Sequence, residues 1–170
     1  MSYNVIYADP PWRYDFSRSK SRKIENQYPT LGAYLIADYL REQKIPVDQD
    51  AVLYLWATSP KLLVAERVMK AWGFLYKSSM VWDKERMGMG YWFRGQHELL
   101  LVGTKGKFSP PPPETRVPSV LRCARGEHSA KPGIVRGWIQ SWFPQARALE
   151  LFARWEGDEY WDTHGLEAKQ

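Results

Sequence analysis

Short apolar runs rich in β-branched and aromatic residues alternate along the chain with longer stretches in which apolar residues recur every three or four positions, the pattern of strands alternating with helices. Val5 to Ala8 reads as a strand. Thr30 can cap a helix running to about Gln43, with Leu31, Tyr34, Leu35, Tyr39 and Leu40 as its apolar stripe. Val52 to Trp56 is a second strand. Ser59-Pro60 then starts a helix, and Gly73 stops it after Leu62, Leu63, Ala65, Val68, Met69 and Trp72. Strands follow at Leu75 to Trp82 and Glu98 to Gly103. A helix from Pro132 to Phe143, with Ile134, Val135, Trp138, Ile139 and Trp142 on one side, leads to a strand at Ala148 to Phe152. The run Pro110 to Pro113 can neither continue a helix nor donate to a ladder, so it predicts a stiff exposed connection in polyproline II form. At least five strands interleaved with helices predict an α/β fold: a central, mostly parallel sheet with helices on both faces.

Composition narrows the class. With 170 residues, 44% hydrophobic and 25% charged, and neither repeat nor linker, residues 1–170 read as one domain. The longest apolar runs, such as Ala51 to Ala57, fall far short of the ~20 residues that span a bilayer, so no membrane segment is expected. The N-terminus lacks a basic stretch followed by an apolar one, which predicts a cytoplasmic protein. Cys123 is the single cysteine, and His97, His128 and His164 lie far apart, so neither a disulfide framework nor a metal site is expected. A net charge of +5 favours polyanionic partners without identifying one, and nine Trp and ten Tyr serve equally as core filler and as stacking platforms.

Three segments read as functional loops: Asp9 to Pro29, Lys84 to Gln96, and Arg116 to Lys131. The first two directly follow strands, where open parallel sheets bind ligands. Asp9-Pro10-Pro11-Trp12 carries the sharpest chemistry. Asp9 and Pro10 each precede a proline and are pushed out of the helical region, while Pro10 and Pro11 have fixed φ and no N–H. The result is a rigid, acceptor-only loop. The Asp9 carboxylate, the Pro10 carbonyl and the Trp12 ring can converge there on an amino group attached to a flat ring.

This tetrad after a strand resembles the signature of the DPPW-type adenine N6-methyltransferases, the family of the mRNA adenosine methyltransferase catalytic subunit and of short bacterial and phage relatives. Six further blocks in family order extend the resemblance over nearly the whole chain. They are Tyr28-Pro29-Thr30-Leu31, Leu55-Trp56-Ala57-Thr58, Trp72-Gly73-Phe74, His97 to Gly103, Ser129-Ala130-Lys131-Pro132, and Glu150-Leu151-Phe152-Ala153-Arg154. The resemblance implies a Rossmann-like, S-adenosylmethionine-dependent methyltransferase fold with permuted motif order, the amine-binding tetrad preceding the cofactor strand that ends near Phe152. Adenine's exocyclic nitrogen is a poor nucleophile because its lone pair is delocalised. Acceptors at Asp9 and Pro10 would favour a pyramidal amine and stabilise the charge that develops on transfer, with Pro11 holding the turn and Trp12 stacking on the base.

The resemblance also implies a cofactor side formed by Asp9, Lys131, Phe152, Arg154, Glu156 and Glu167. Lys131, just before a helix N-terminus, would take the methionine carboxylate; Phe152 would flank the cofactor's adenine and Arg154 would lie near its ribose. No glycine-rich nucleotide loop is present. Glu156 and Gly157 stand where the mRNA enzyme has histidine and asparagine, and Leu166-Glu167 replaces its asparagine and glutamine, so Glu156 and Glu167 are the residues assigned to the ribose hydroxyls. On the substrate side, Tyr28 and Glu98 match positions lining the target-base pocket. Arg18, Lys20, Arg22 and Lys23 beside the tetrad suit phosphates, Arg116, Arg122, Arg125, Lys131 and Arg136 form a second basic cluster, and Trp92 can stack on a neighbouring base or fill core. The expected function is methyl transfer to N6 of adenine in DNA. The alternatives are an RNA adenine methyltransferase and a catalytically silent nucleic-acid-binding subunit, with a homodimer or partner subunit compatible with either.

Overall fold

The computed structural model describes residues 2–14, 31–126 and 130–165. Its strands are β1 (Tyr3–Ala8), β2 (Val47–Ala57), β3 (Leu75–Asp83), β4 (His97–Lys105), β5 (Val120–Arg122), β6 (Ala148–Leu151) and β7 (Trp161–His164). They form one sheet in the order β5-β3-β4-β2-β1-β6-β7. β1 pairs in parallel with β2 and β6, β6 with β7, and β3 with β5. β4 runs antiparallel to both its neighbours, β2 and β3. The parallel strands therefore all end at one edge of the sheet, and β4 begins there.

Both faces are covered, as a parallel sheet requires. Strand alternation sends Ile6, Ala8, Leu53, Leu55 and Ala57 to one face, under helices α1 (Ala33–Glu42) and α2 (Leu62–Ala71). Val5, Tyr7, Val52, Tyr54 and Trp56 point to the other, under α3 (Gly133–Trp142). The expected α/β architecture with its mostly parallel sheet is present.

Several details differ from the sequence expectations. β5 and β7 complete the sheet although neither stands out as an apolar run; each is held by pairing along one neighbour. The stripe of α1 is rotated: Ile36, Tyr39 and Leu40 are buried, whereas Tyr34 and Leu35 face outward. In α2, Ala65, Val68 and Met69 are buried while Leu62 and Leu63 are exposed. On α3 only Val135 and Ile139 are buried, and Ile134 is exposed. Ser59-Pro60 opens a 3-10 turn, Ser59–Lys61, ahead of α2, and the Ser59 hydroxyl meets His97 Nε2 at 2.9 Å instead of capping. Pro113 likewise begins a 3-10 turn, Pro113–Thr115, so the proline run is extended only up to that point. The Thr30 cap lies outside the described residues; Gly32 occupies the N-cap of α1. Among the described residues, no helix is long and apolar enough to cross a membrane.

Candidate active site

The tetrad follows β1 at the edge where the parallel strands end. The Trp12 N–H donates to the Pro10 carbonyl at 2.8 Å, closing a tight turn. One lone pair of that carbonyl is left to accept from another group. The Leu31 N–H donates to the Pro11 carbonyl (2.8 Å) and the Arg13 N–H to the Leu31 carbonyl (3.3 Å), so the chain returns to the tetrad on its way into α1. Trp12 is buried, with its Nε1–H donated to the Trp56 carbonyl at 3.0 Å. Its first duty is therefore structural, and the ring lines the cleft from within the core instead of standing free to stack.

Lys131, two residues before α3, reaches across this edge. Its Nζ lies 2.7 Å from Asp9 Oδ2 and 3.3 Å from Glu98 Oε2. Glu98 Oε1 is in turn 3.2 Å from Lys84 Nζ. Glu98 can take part because β4 is antiparallel: its first residues start where β1 and β2 finish. The four side chains form a row of alternating charge, Asp9, Lys131, Glu98 and Lys84. Burial pulls the Lys131 ammonium toward neutrality, but the charges of Asp9 and Glu98 and their hydrogen bonds outweigh it and hold its pKa above the ordinary lysine value. Lys131 also lies 5.8 Å from the Trp56 ring centroid.

Asp9, Pro10, Pro11, Trp12, Glu98, Lys131 and Arg154 all line a single cleft of about 150 Å³. This is smaller than the ~300–1,000 Å³ of sites that enclose whole drug-sized ligands, and suits one flat ring. Tyr14, Trp56, Ala57 and Thr58 complete the wall. The Tyr14 and Thr58 hydroxyls are 2.6 Å apart, and Lys61 Nζ lies 5.1 Å from the Tyr14 ring. These residues and Lys84 are absent from the set read off the sequence. Thr58 and Lys84 each directly follow a strand and Tyr14 lies in the loop after β1, so all three had a positional signal, and only packing singles them out from their neighbours.

Two assigned residues stand elsewhere. Phe152, at φ 60°, is buried with its ring 4.4 Å from that of Tyr39, so in this structure the ring's partner is protein. Glu156 is exposed and outside the cleft lining. The turn after β6 is fixed by the Phe152 N–H donating to the His164 carbonyl (2.6 Å). It is fixed also by buried Glu150, which accepts from Trp155 Nε1 (2.9 Å) and Arg136 (3.0 Å) and whose carboxyl burial pushes upward in pKa. That turn presents Arg154 to the cleft. Arg18, Lys20, Arg22, Lys23, Tyr28 and Glu167 lie outside the described residues.

The chain is 35% identical over 185 residues to the Type II methyltransferase M.MunI of Mycoplasma sp, covering 97% of this chain and 77% of that protein. It is 28% identical over 162 residues to the N(6)-adenosine-methyltransferase MT-A70-like of Arabidopsis thaliana, and 29% over 161 residues to the N(6)-adenosine-methyltransferase catalytic subunit METTL3 of Homo sapiens. These cover 90% and 89% of this chain but 22% and 26% of the two relatives, so the chain spans about a quarter of their length. The MT-A70 family model matches residues 3–167, a stretch that contains the tetrad, Glu98, Lys131 and Arg154, and the chain belongs to the MT-A70 family of methyltransferases.

Proposed function

We propose that the chain transfers the methyl group of S-adenosylmethionine to N6 of adenine in DNA. The observation that carries this is the Asp9 carboxylate, fixed by two prolines over a cleft the size of one base and paired through Oδ2 with Lys131. Oδ1 is left to accept an N–H of the incoming amine, and the Pro10 carbonyl can accept the second. Together they localise the nitrogen lone pair, and the carboxylate stabilises the positive charge that develops on nitrogen and can take the proton it sheds.

The donor set fits the cofactor's charged end. An ammonium has three N–H donors, and Lys131 gives two to Asp9 and Glu98, leaving one for a carboxylate. Asp9 and Glu98 supply negative charge for an amino group or a sulfonium, and Arg154 stands at the same cleft. Bound there, S-adenosylmethionine would supply an electrophilic methyl carbon. The chain's own task is to hold the amine within roughly 3–3.5 Å of it and in line with the departing sulfur. DNA is proposed over RNA because the relatives whose names specify adenosine, the ribonucleoside, match at lower identity and over about a quarter of their own length, whereas the Type II methyltransferase matches at 35% identity over 77% of its length.

The test is incubation with labelled S-adenosylmethionine and matched single- and double-stranded DNA and RNA, followed by nucleoside analysis. N6-methyldeoxyadenosine is expected. Asp9→Asn, which keeps shape and removes charge, should lower kcat by at least about 10²-fold, as loss of one preorganised polar group does elsewhere. Methylation of another atom, or near-normal turnover in Asp9→Asn, would overturn this assignment; product in RNA alone would replace DNA by RNA.

A further inference from the structure

The connection formed by residues 84–96 has no part in lining the cleft. It joins β3 to antiparallel β4, so it leaves and re-enters the sheet at the edge that carries Asp9 and Glu98, and its first residue, Lys84, is the end of the charged row. Its neck is closed by the Lys84 N–H donating to the Gln96 carbonyl (2.9 Å). Asp83 Oδ1 also accepts there, from the Glu85 N–H and Gln96 Nε2, both at 2.9 Å. Farther out, the Gly88 N–H donates to the Gly95 carbonyl (2.7 Å), the Gly95 N–H to the Met89 carbonyl (3.1 Å) and Arg94 Nε to the Gly88 carbonyl (2.9 Å). Gly90 has no space for a side chain, since a Cβ there would overlap the Phe93 carbonyl oxygen. The tip is thus a built turn.

What this turn carries outward is apolar. Met89 is 81% exposed, Trp92 94% and Phe93 89%, with Met87 and Tyr91 exposed beside them. A cluster of this kind on a defined loop marks an interaction surface. Its surroundings say with what. Lys84, Arg86 and Arg94 oppose only Glu85 within the loop, and Arg122 stands at its base, 3.9 Å from Asp83. Two copies meeting through this tip would bring like charges together, whereas a polynucleotide offers phosphates to the cations and ring faces to the aromatics. An enzyme that works on a ring amine must also draw the base out of its stack, which leaves a gap to be filled.

We propose that the 84–96 tip is a base-stacking wedge. Trp92, flanked by Phe93, stacks on the bases beside the extruded adenine and holds the opened strand against the cleft. The proposal rests on the assignment of the cleft to adenine.

The test measures binding of fluorescein-labelled, adenine-containing duplex and single-stranded DNA by anisotropy across a salt series, for wild type, Trp92→Ala, Trp92→Phe and Phe93→Ala, with S-adenosylmethionine affinity measured by calorimetry. Trp92→Ala should weaken DNA binding about 5- to 150-fold, the loss of one stacked base, while Trp92→Phe retains most of the affinity. The slope of log affinity against log salt should stay unchanged, since no phosphate contact is removed, and cofactor affinity should hold. Unchanged DNA affinity in Trp92→Ala would overturn the wedge. So would sedimentation showing a wild-type dimer that Trp92→Ala converts to monomer, which would make the tip a self-association surface. Trp92-dependent binding by a wild-type protein that transfers no methyl group supports the wedge while overturning the catalytic assignment; normal methyl transfer with Trp92-independent binding overturns the wedge alone.

Discussion

Among the described residues, Lys131 is the one ammonium that meets both Asp9 and Glu98, so its removal should change how stability depends on pH. In Lys131→Met the side chain keeps most of its length and loses its charge. The two Nζ distances, 2.7 and 3.3 Å, place the two carboxylate oxygens no more than about 6 Å apart. At an effective dielectric of ~20 their repulsion is about 3 kcal/mol. Lys84 still neutralises part of Glu98, and Asp9 is partly exposed, so about 2 kcal/mol is the expected cost near neutral pH. The sign follows from proton linkage. The variant's folded state relieves the repulsion by taking up a proton that the unfolded chain holds less readily, so its stability rises as pH falls toward about 5. Wild type behaves otherwise: the Lys131 pKa is raised, so its contribution is fully present below the ordinary lysine value and is lost only as pH climbs through the higher folded value. Urea unfolding of both proteins at about pH 7.5 and pH 5 reads this directly, with roughly a third to a half of the deficit recovered at the lower pH. A deficit equal at both pH values, or below about 0.5 kcal/mol at neutral pH, would refute the view that Lys131 neutralises this pair.

Trp12→Ala should cost about 3–5 kcal/mol in urea unfolding, because the ring is buried in the core, while Trp12→Phe should cost about 1–2 kcal/mol, mainly the lost Trp56 carbonyl bond; unchanged stability in Trp12→Ala would return the ring to a purely ligand-facing role. Replacing Arg18, Lys20, Arg22 and Lys23 together by Ala should flatten the log-log salt slope of DNA binding by about three units without altering cofactor affinity, and an unchanged slope would assign phosphate contacts elsewhere.

The sequence by itself determined the α/β class, the central strands and the rigid loop of Asp9 to Trp12. Val5 to Ala8 and Val52 to Trp56 are apolar enough to be buried on both faces, and two adjacent prolines after an aspartate restrict the backbone wherever they occur. Through the resemblance of their blocks it also marked Lys131 for the cofactor side and Glu98 for the substrate side, and the fold joins the two in one row with Asp9. Tertiary structure decided what each residue touches. Lys131 meets Asp9, 122 residues away, because β1 is central and α3 begins at the edge where it ends. Glu98 joins them because β4 runs against its neighbours, and strand direction leaves no trace in apolar periodicity. The phase of α1 differs from the periodicity for a related reason: Leu35 is as apolar as Ile36 and Tyr34 offers a large ring, and only contact with α2 and the sheet selects which side turns inward. Trp12 and Phe152 show the same limit, since an aromatic ring serves core and ligand equally well on paper, and burial, a property of the whole fold, separates the two.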